Sequence, residues 1–340
     1  MHIRPMITGI LSCIPGMKKL HYLLSKGKIG DASARASYSI WMRHLVMAER
    51  NGLLKGCPSI IAELGPGKTL GVGLAGLISG AEKYYGLDVV EYCSSSETLG
   101  LFDEIVELFK NRTDIPGESE YPNVKPRLES YKFPEHIFPN GALEKALDEK
   151  RIAKIRNAIS LFSSNDMGEI TGKKNSNNKM MPSRALRNKR GGGIISYYVP
   201  WHKIKIIEEM TVDMIYSQAV MEHVEDVSEA YKTMRLWLKP KGIISHQIDF
   251  KSHGTAAEWN GHWGYGDFLW KIIKGGKLYL INRAPHSKHI SMIENEDLKI
   301  VCDILVKKTD GIQRHQLARK FKSLSDEDLH ISGAFIQAIK

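Results

Sequence analysis

Apolar residues along this chain recur at two spacings, and the alternation between them predicts an α/β protein. Trp41, Leu45 and Val46 fall at helical spacing within residues 37–54, so residues 1–57 read as a helical N-terminal arm. Residues 59–64 form a short apolar run between Pro58 and Gly65, the mark of a buried strand. A helix over 69–78 and a strand over 83–87, ending at Asp88, complete a βαβ unit, which requires a parallel sheet. Phe102, Ile105, Val106 and Phe109 predict a helix over 101–110, and 144–161 predicts another beyond the irregular stretch 116–139. The βα rhythm resumes with strands over 194–199 and 212–217. Asp226 and Glu229 open a helix to Leu238, which Lys239 and Pro240 end before a strand over 242–249. Strands over 298–305 and 331–339 close the chain, and no internal repeat is found.

The domain reading that follows is an arm, 1–57, and one α/β domain, 58–340, with inserts at about 110–193 and 251–290. Within the first insert, residues 171–193 are rich in Lys, Arg, Asn and Gly and lack aromatics, which predicts a flexible basic loop. With 340 residues, 42% hydrophobic and 25% charged, the chain can bury a substantial core. A net charge of +10 favours an anionic partner such as a nucleotide-linked sugar, nucleic acid or membrane surface, or simply marks one solvated basic loop. Cys13, Cys57, Cys93 and Cys302 are dispersed, without metal spacing, as expected of reduced thiols. Residues 6–14 are apolar but too short to span a bilayer, and a soluble, cytoplasmic protein is expected.

The chemistry begins at Glu63-Leu64-Gly65-Pro66-Gly67-Lys68-Thr69, where the first βα turn falls. A phosphate-wrapping P-loop needs a glycine five residues before Gly67, and Ala62 stands there. A dinucleotide fingerprint needs a third small residue, and Leu70 takes that place. S-adenosylmethionine fits better. Gly65, Pro66 and Gly67 let the backbone approach a methionine tail, Glu63 meets its ammonium, and Asp88, with Val89 beside it, accepts ribose hydroxyls. A glycine turn of some other α/β protein stays open at this point.

Residues 212–224 (VDMIYSQAVMEHV), followed by a helix, the run LKPKG and a further strand, resemble the fourth-strand motif of class I S-adenosylmethionine-dependent methyltransferases. With the glycine loop, these motifs span 59–250 in order. More narrowly, SHQIDF at 245–250, EWNGHW at 258–263, LINR at 280–283 and SGAFIQ at 332–337 resemble a bacterial methyltransferase family associated with surface-polysaccharide biosynthesis. The resemblance implies a Rossmann-like, doubly wound seven-stranded sheet with the last strand antiparallel. It implies cofactor contacts from Glu63, Gly65, Gly67 and Asp88, from Pro200 and Trp201 near the adenine, and from Gln218 and Ala219 at the methionine end.

Methyl transfer to a hydroxyl needs in-line positioning and a base. His246, His253 and His223 are the candidate bases, with Asp249 to orient one of them, although packing roles for these histidines stay open. Acceptor contacts are expected from Glu222, Trp259, Asn260, His262, Asn282 and Arg283, the aromatics suiting a sugar face and the arginine an anionic group. No metal is expected. Glu222 and His223 match a dipeptide that holds a divalent ion in some quinone-pathway O-methyltransferases, but the earlier ligand position is Ala219. The expected function is O-methylation of a sugar, glycan or other small molecule. The alternatives are an RNA methyltransferase using the basic insert and a binding protein that kept the fold. A homodimer through the arm is also open, and a nucleic-acid partner is not expected.

Overall fold

The computed structural model describes residues 3–14, 33–89, 93, 95–164, 193–201, 206–277 and 279–340. The insert 171–193, apart from Gly193, and part of the arm 1–57 lie outside the described residues. In chain order the elements are α1 (Arg4–Leu11), α2 (Ala34–Arg50), β1 (Ile60–Leu64), α3 (Gly71–Ser79), β2 (Lys83–Leu87) and α4 (Ser95–Lys110). After these come α5 (Ala142–Ala146), α6 (Glu149–Ser164), β3 (Ile195–Tyr198), β4 (Val212–Gln218), α7 (Val227–Trp237) and β5 (Leu238–Asp249). The chain ends with α8 (Asp267–Lys274), α9 (His286–Asn295), β6 (Lys299–Lys307), α10 (Asp326–His330) and β7 (Ile331–Ile339).

The strands form one seven-stranded sheet in the order β3-β2-β1-β4-β5-β7-β6. β1 runs parallel to β2, with Ile60 opposite Lys83 and Leu64 opposite Leu87, and parallel to β4, with Glu63 opposite Tyr216. β7 runs against β5: the amide of Lys340 bonds the carbonyl of Gly242, while the amide of Phe250 bonds the carbonyl of Ser332. This is the doubly wound sheet with an antiparallel last strand that the sequence implied.

Contacts divide the described residues into two compact units. One comprises α1, Ala219–Arg235 and His246–Ala338; the other runs from Ser33 to Gln218 and adds Leu236–Ser245 and Ile339–Lys340. In the second unit α2 is buried around Trp41, Met42 and Leu45. Its Arg43 is fully buried and donates to the carbonyls of Pro116 and Pro126, fastening the irregular segment beyond α4. In the first unit α1 packs by its small residues: a Cβ on Gly9 would meet the carbonyl of Ile272 at 2.0 Å. Ile3, Ile7, Ile10, Leu11 and Ile14 are left exposed.

Of the boundaries that differ from the sequence reading, two trace to single residues. The helix expected over 144–161 is broken into α5 and α6, because the Asp148 carboxylate accepts the amides of Lys150 and Arg151 and starts a new helix. β5 begins at Leu238, not after Pro240. A proline at the start of a strand costs no interior ladder bond.

Helix α3 sits on the sheet through glycines. A Cβ on Gly73 would lie 2.1 Å from the Tyr84 ring, and one on Gly76 would lie 2.4 Å from Ile61 Cδ1. In an open helix, exchanging glycine for alanine gains roughly 1 kcal/mol. Here Tyr84 is fully buried and has no room to swing away. Gly73→Ala is therefore expected to lower stability by about 1–3 kcal/mol, read as a drop of several degrees in the thermal midpoint. An unchanged midpoint would refute the close packing of α3.

Candidate active site

β1 ends at the glycine loop, and Gly65 and Gly67 take φ values of 66° and 75°, a region disfavoured for residues with a Cβ. The Gly65 amide bonds the carbonyl of Leu87 at 2.7 Å, so the loop leaves β1 still tied to β2. One residue beyond β2, Asp88 is buried, its amide held by Tyr198 and its carbonyl by the amide of Trp201. Its Oδ1 accepts the amide of Val89 at 2.8 Å. Asp88 is thus fixed at the end of β2 by its backbone bonds to Tyr198 and Trp201.

Glu63 is buried on β1, where its Oε2 accepts the hydroxyls of Tyr84 at 2.6 Å and Tyr216 at 3.3 Å. Burial pushes its carboxyl up to about 7, against the two phenol hydrogen bonds, which lower it. The tyrosines were not anticipated from sequence. Each sits on a neighbouring strand, and only the register brings them to Glu63. Pro200 follows β3, and the buried Trp201 packs edge-on against Trp237, ring centres 6.0 Å apart.

At the end of β4, Gln218 meets a residue of the arm. His44 is fully buried, with Nε2 3.3 Å from Gln218 Oε1 and Nδ1 2.7 Å from Ser245 Oγ. Desolvation lowers the His44 imidazole to about 4, so it is neutral at pH 7. Sequence reasoning missed His44, whose only signal was its place in a buried helix. Ala219 follows with φ 55°, its amide bonded to the carbonyl of Gln247.

In the other unit, Glu222, His223 and His253 come together: one ligand-type atom from each lies within 4.8 Å of the others. The Met221–His223 turn after β4 carries the first two, and the loop after β5 carries His253. Glu222 is buried, and neither carboxyl oxygen has a hydrogen-bond partner among the described residues. Burial raises its carboxyl to about 8. His223 Nδ1 is 2.7 Å from the carbonyl of Tyr279, and burial, helped by His253, lowers the ring to about 4. A carbonyl can only accept, so Nδ1 carries the proton and Nε2 keeps a lone pair. His253 has φ 46°, is lowered by burial, and places Nε2 3.7 Å from Asp249 Oδ2 and 4.0 Å from Glu222 Oε1. Lys251 holds Asp249 through its amide and ammonium, both at 2.9 Å. His246 is fully buried on β5 with its ring edge-on to Tyr231, 6.1 Å between centres, outside this cluster.

The remaining expected acceptor residues are engaged in the fold. Asn260 accepts the Ile312 amide at 2.6 Å and donates to the carbonyls of Ile312 and Leu329. Asn282 donates to the carbonyls of Met221 and Val224. Arg283 donates to the carbonyl of Tyr265 and to Asp267, with its guanidinium 4.4 Å from the Trp270 ring centre. Trp259 and His262 are buried beside Trp263, which belongs to a hydrophobic cluster with Ile312, Leu317, Phe321 and Leu329.

Residues 177–245 match the family model described as a methyltransferase domain. No curated protein matches the sequence. Among solved structures, an S-adenosylmethionine-dependent methyltransferase from Mesorhizobium loti is 14% identical, covering 87% of this chain and 98% of that one at a TM-score of 0.39. A phosphoethanolamine N-methyltransferase 2 from Haemonchus contortus, in complex with S-adenosyl-L-methionine, is 12% identical, covering 88% of this chain and 52% of that one at a TM-score of 0.38. Likenesses this low support no argument about site or substrate. The matched segment and the strand order are those of the Rossmann-like methyltransferase fold. A methyltransferase domain makes the protein a transferase. Among the described residues, no helix is long and apolar enough to cross a membrane.

The buried Glu63 yields a pH prediction. Its carboxyl is raised from 4.5 to about 7, so between these values the folded protein keeps a proton that the unfolded chain has lost. This stabilisation is complete below pH ~4.5, falls as pH rises, and is gone above the folded value, a change on the order of 3 kcal/mol. Thermal midpoints of donor-free protein should decline more steeply from pH 5 to pH 8 for the parent than for Glu63→Gln. Identical slopes would remove Glu63 as the source.

Proposed function

We propose that this enzyme methylates a hydroxyl of a sugar, a glycan or a similar small acceptor. The donor would be held by Glu63, Gly65, Pro66, Gly67, Asp88, Val89, Pro200, Trp201 and Gln218, with Ala219 next in the chain. Bound S-adenosylmethionine supplies an electrophilic methyl on a sulfonium. Glu63 would take the donor's ammonium as a carboxylate, the loop amides its carboxylate, and Asp88 its ribose hydroxyls.

The observation that carries the acceptor chemistry is the grouping of neutral imidazoles and carboxylates at the ends of β4 and β5. Carboxyl ends of strands are where ligands bind in sheets of this kind. The base is drawn from the His253–Asp249 pair, where a lowered imidazole stands beside an oriented carboxylate. His246, enclosed in the core, fits this role less well. The glycan preference is supported by the resemblance of residues 245–250, 258–263, 280–283 and 332–337 to a polysaccharide-associated family.

Labelled methyl transfer against a panel of nucleotide sugars and cell-envelope glycans tests the reading. Asp249→Asn should cut turnover by roughly 10²-fold or more while calorimetry shows unchanged donor affinity. Asp88→Asn should do the reverse, weakening donor binding at least tenfold. If Asp249→Asn weakens the donor instead, this division of roles fails. The net charge of +10 favours RNA as a second reading. Failure of the protein to shift RNA at low salt would dismiss it.

A further inference from the structure

We propose that Glu222, His223 and His253 form a binding site for one divalent first-row transition ion, of the zinc or manganese type. The sequence reading looked for a third ligand three residues before Glu222 and found Ala219. The fold supplies it instead from the loop after β5, thirty residues downstream of His223.

Four observations converge. Two imidazoles and one carboxylate are a donor set suited to borderline divalent ions. Their ligand atoms lie within 4.8 Å of one another. Around an ion held at 2.0–2.2 Å such atoms stand roughly 3–4 Å apart, so side-chain rotations of an ångström or so close the site. His223 is already oriented, because the hydrogen bond from its Nδ1 to the Tyr279 carbonyl leaves Nε2 as the ligating atom. That is the outer-shell contact metal-bound histidines ordinarily make. The fourth observation is Glu222. Both its oxygens are enclosed without a hydrogen-bond partner among the described residues, and no Lys or Arg forms an ion pair with it there. Enclosed polar oxygens without a partner are costly, and a cation between the three side chains would supply one. The left-handed backbone of His253 adds strain at the residue that completes the triad, as functional sites often do.

The inference rests on the proposed function only for the ion's role. An acceptor hydroxyl bound to the ion is acidified. Its proton passes to the Asp249 carboxylate, its oxygen takes the methyl, and the sulfonium leaves as a neutral thioether. His253 then serves as ligand and Asp249 as base. The site itself stands whatever the acceptor is.

Titration calorimetry of the full chain, freed of metal and then given Zn²⁺ or Mn²⁺, tests it. One ion per chain should bind, and His253→Ala, a change at a partly exposed side chain, should weaken it at least tenfold. Glu222→Gln should do likewise, whereas His286→Ala, which alters a separate His–Asp pair, should leave it unchanged. Co²⁺ should give visible absorption bands that vanish in His253→Ala. Donor binding, measured in the same preparations, separates the two ideas. Donor heat with no ion heat overturns the site and spares the methyltransferase reading, and ion heat with no donor heat does the opposite. Equal ion binding by parent and His253→Ala would also overturn the site.

Discussion

The pairing of β1 in parallel with both β2 and β4 is the constraint on which the proposed donor site depends. The strand order reverses there, between β1 and β4. The register then does the chemistry. Glu63 stands opposite Gly86 on one side and Tyr216 on the other, and Tyr84 reaches it from β2. Gly86 has to be small, since a Cβ there would lie 3.0 Å from the Tyr84 hydroxyl and 3.1 Å from the Tyr197 ring. A one-residue slip would turn Glu63 to the other face of the sheet and remove Asp88 from the end of β2.

Among the described residues two glutamates are buried, and their surroundings answer the cost of burial differently. Glu63 has two phenol donors, which stabilise its ionised form, yet desolvation still prevails and the carboxyl stays readily protonated. Such a group is well matched to a cationic ligand, because an arriving ammonium restores the charge that burial suppressed. Glu222 has no phenol donors; His223 and His253 stand beside it, and Asp249 and Lys251 act on it from further off. Two imidazoles offer lone pairs, which with the carboxyl oxygens make a set of donors to a cation. The contrast accords with the two proposals, an organic cation at Glu63 and a metal at Glu222.

Much of this was legible in the sequence, for identifiable reasons. The βαβ unit, the glycine loop and Asp88 are local features, fixed by turn chemistry and strand length, and they appear where the periodicity put them. Contacts across strands were not legible. Tyr84 and Tyr216 around Glu63, and His44 against Gln218 and Ser245, depend on register and on the docking of α2, which spacing along the chain does not encode. His253 was picked out as a histidine near a carboxyl-terminal strand end, but its partnership with Glu222 and His223 is a tertiary fact. The break at Asp148 was missed because helical periodicity continues across it, while a single capping carboxylate decides the boundary.

Within the insertion 251–290, residues first read as acceptor contacts brace the turn and the loop of the proposed site. Asn282 ties its side chain to the carbonyls of Met221 and Val224, and its amide to that of Glu222, fixing the turn that presents Glu222 and His223. The Ser252 amide bonds the carbonyl of Trp259, anchoring the loop that carries His253. Arg283, clasped by Tyr265 and Asp267, receives the indole N–H of Trp263 on its carbonyl and locks this frame to the hydrophobic cluster beneath. In-line methyl transfer depends on orientation more than on any single strong contact, and a reacting group is only as well placed as the residues behind it. Under the proposed function, Asn282 and Arg283, engaged by backbone partners, would serve the reaction by holding still the turn and the loop where the acceptor's proton is taken.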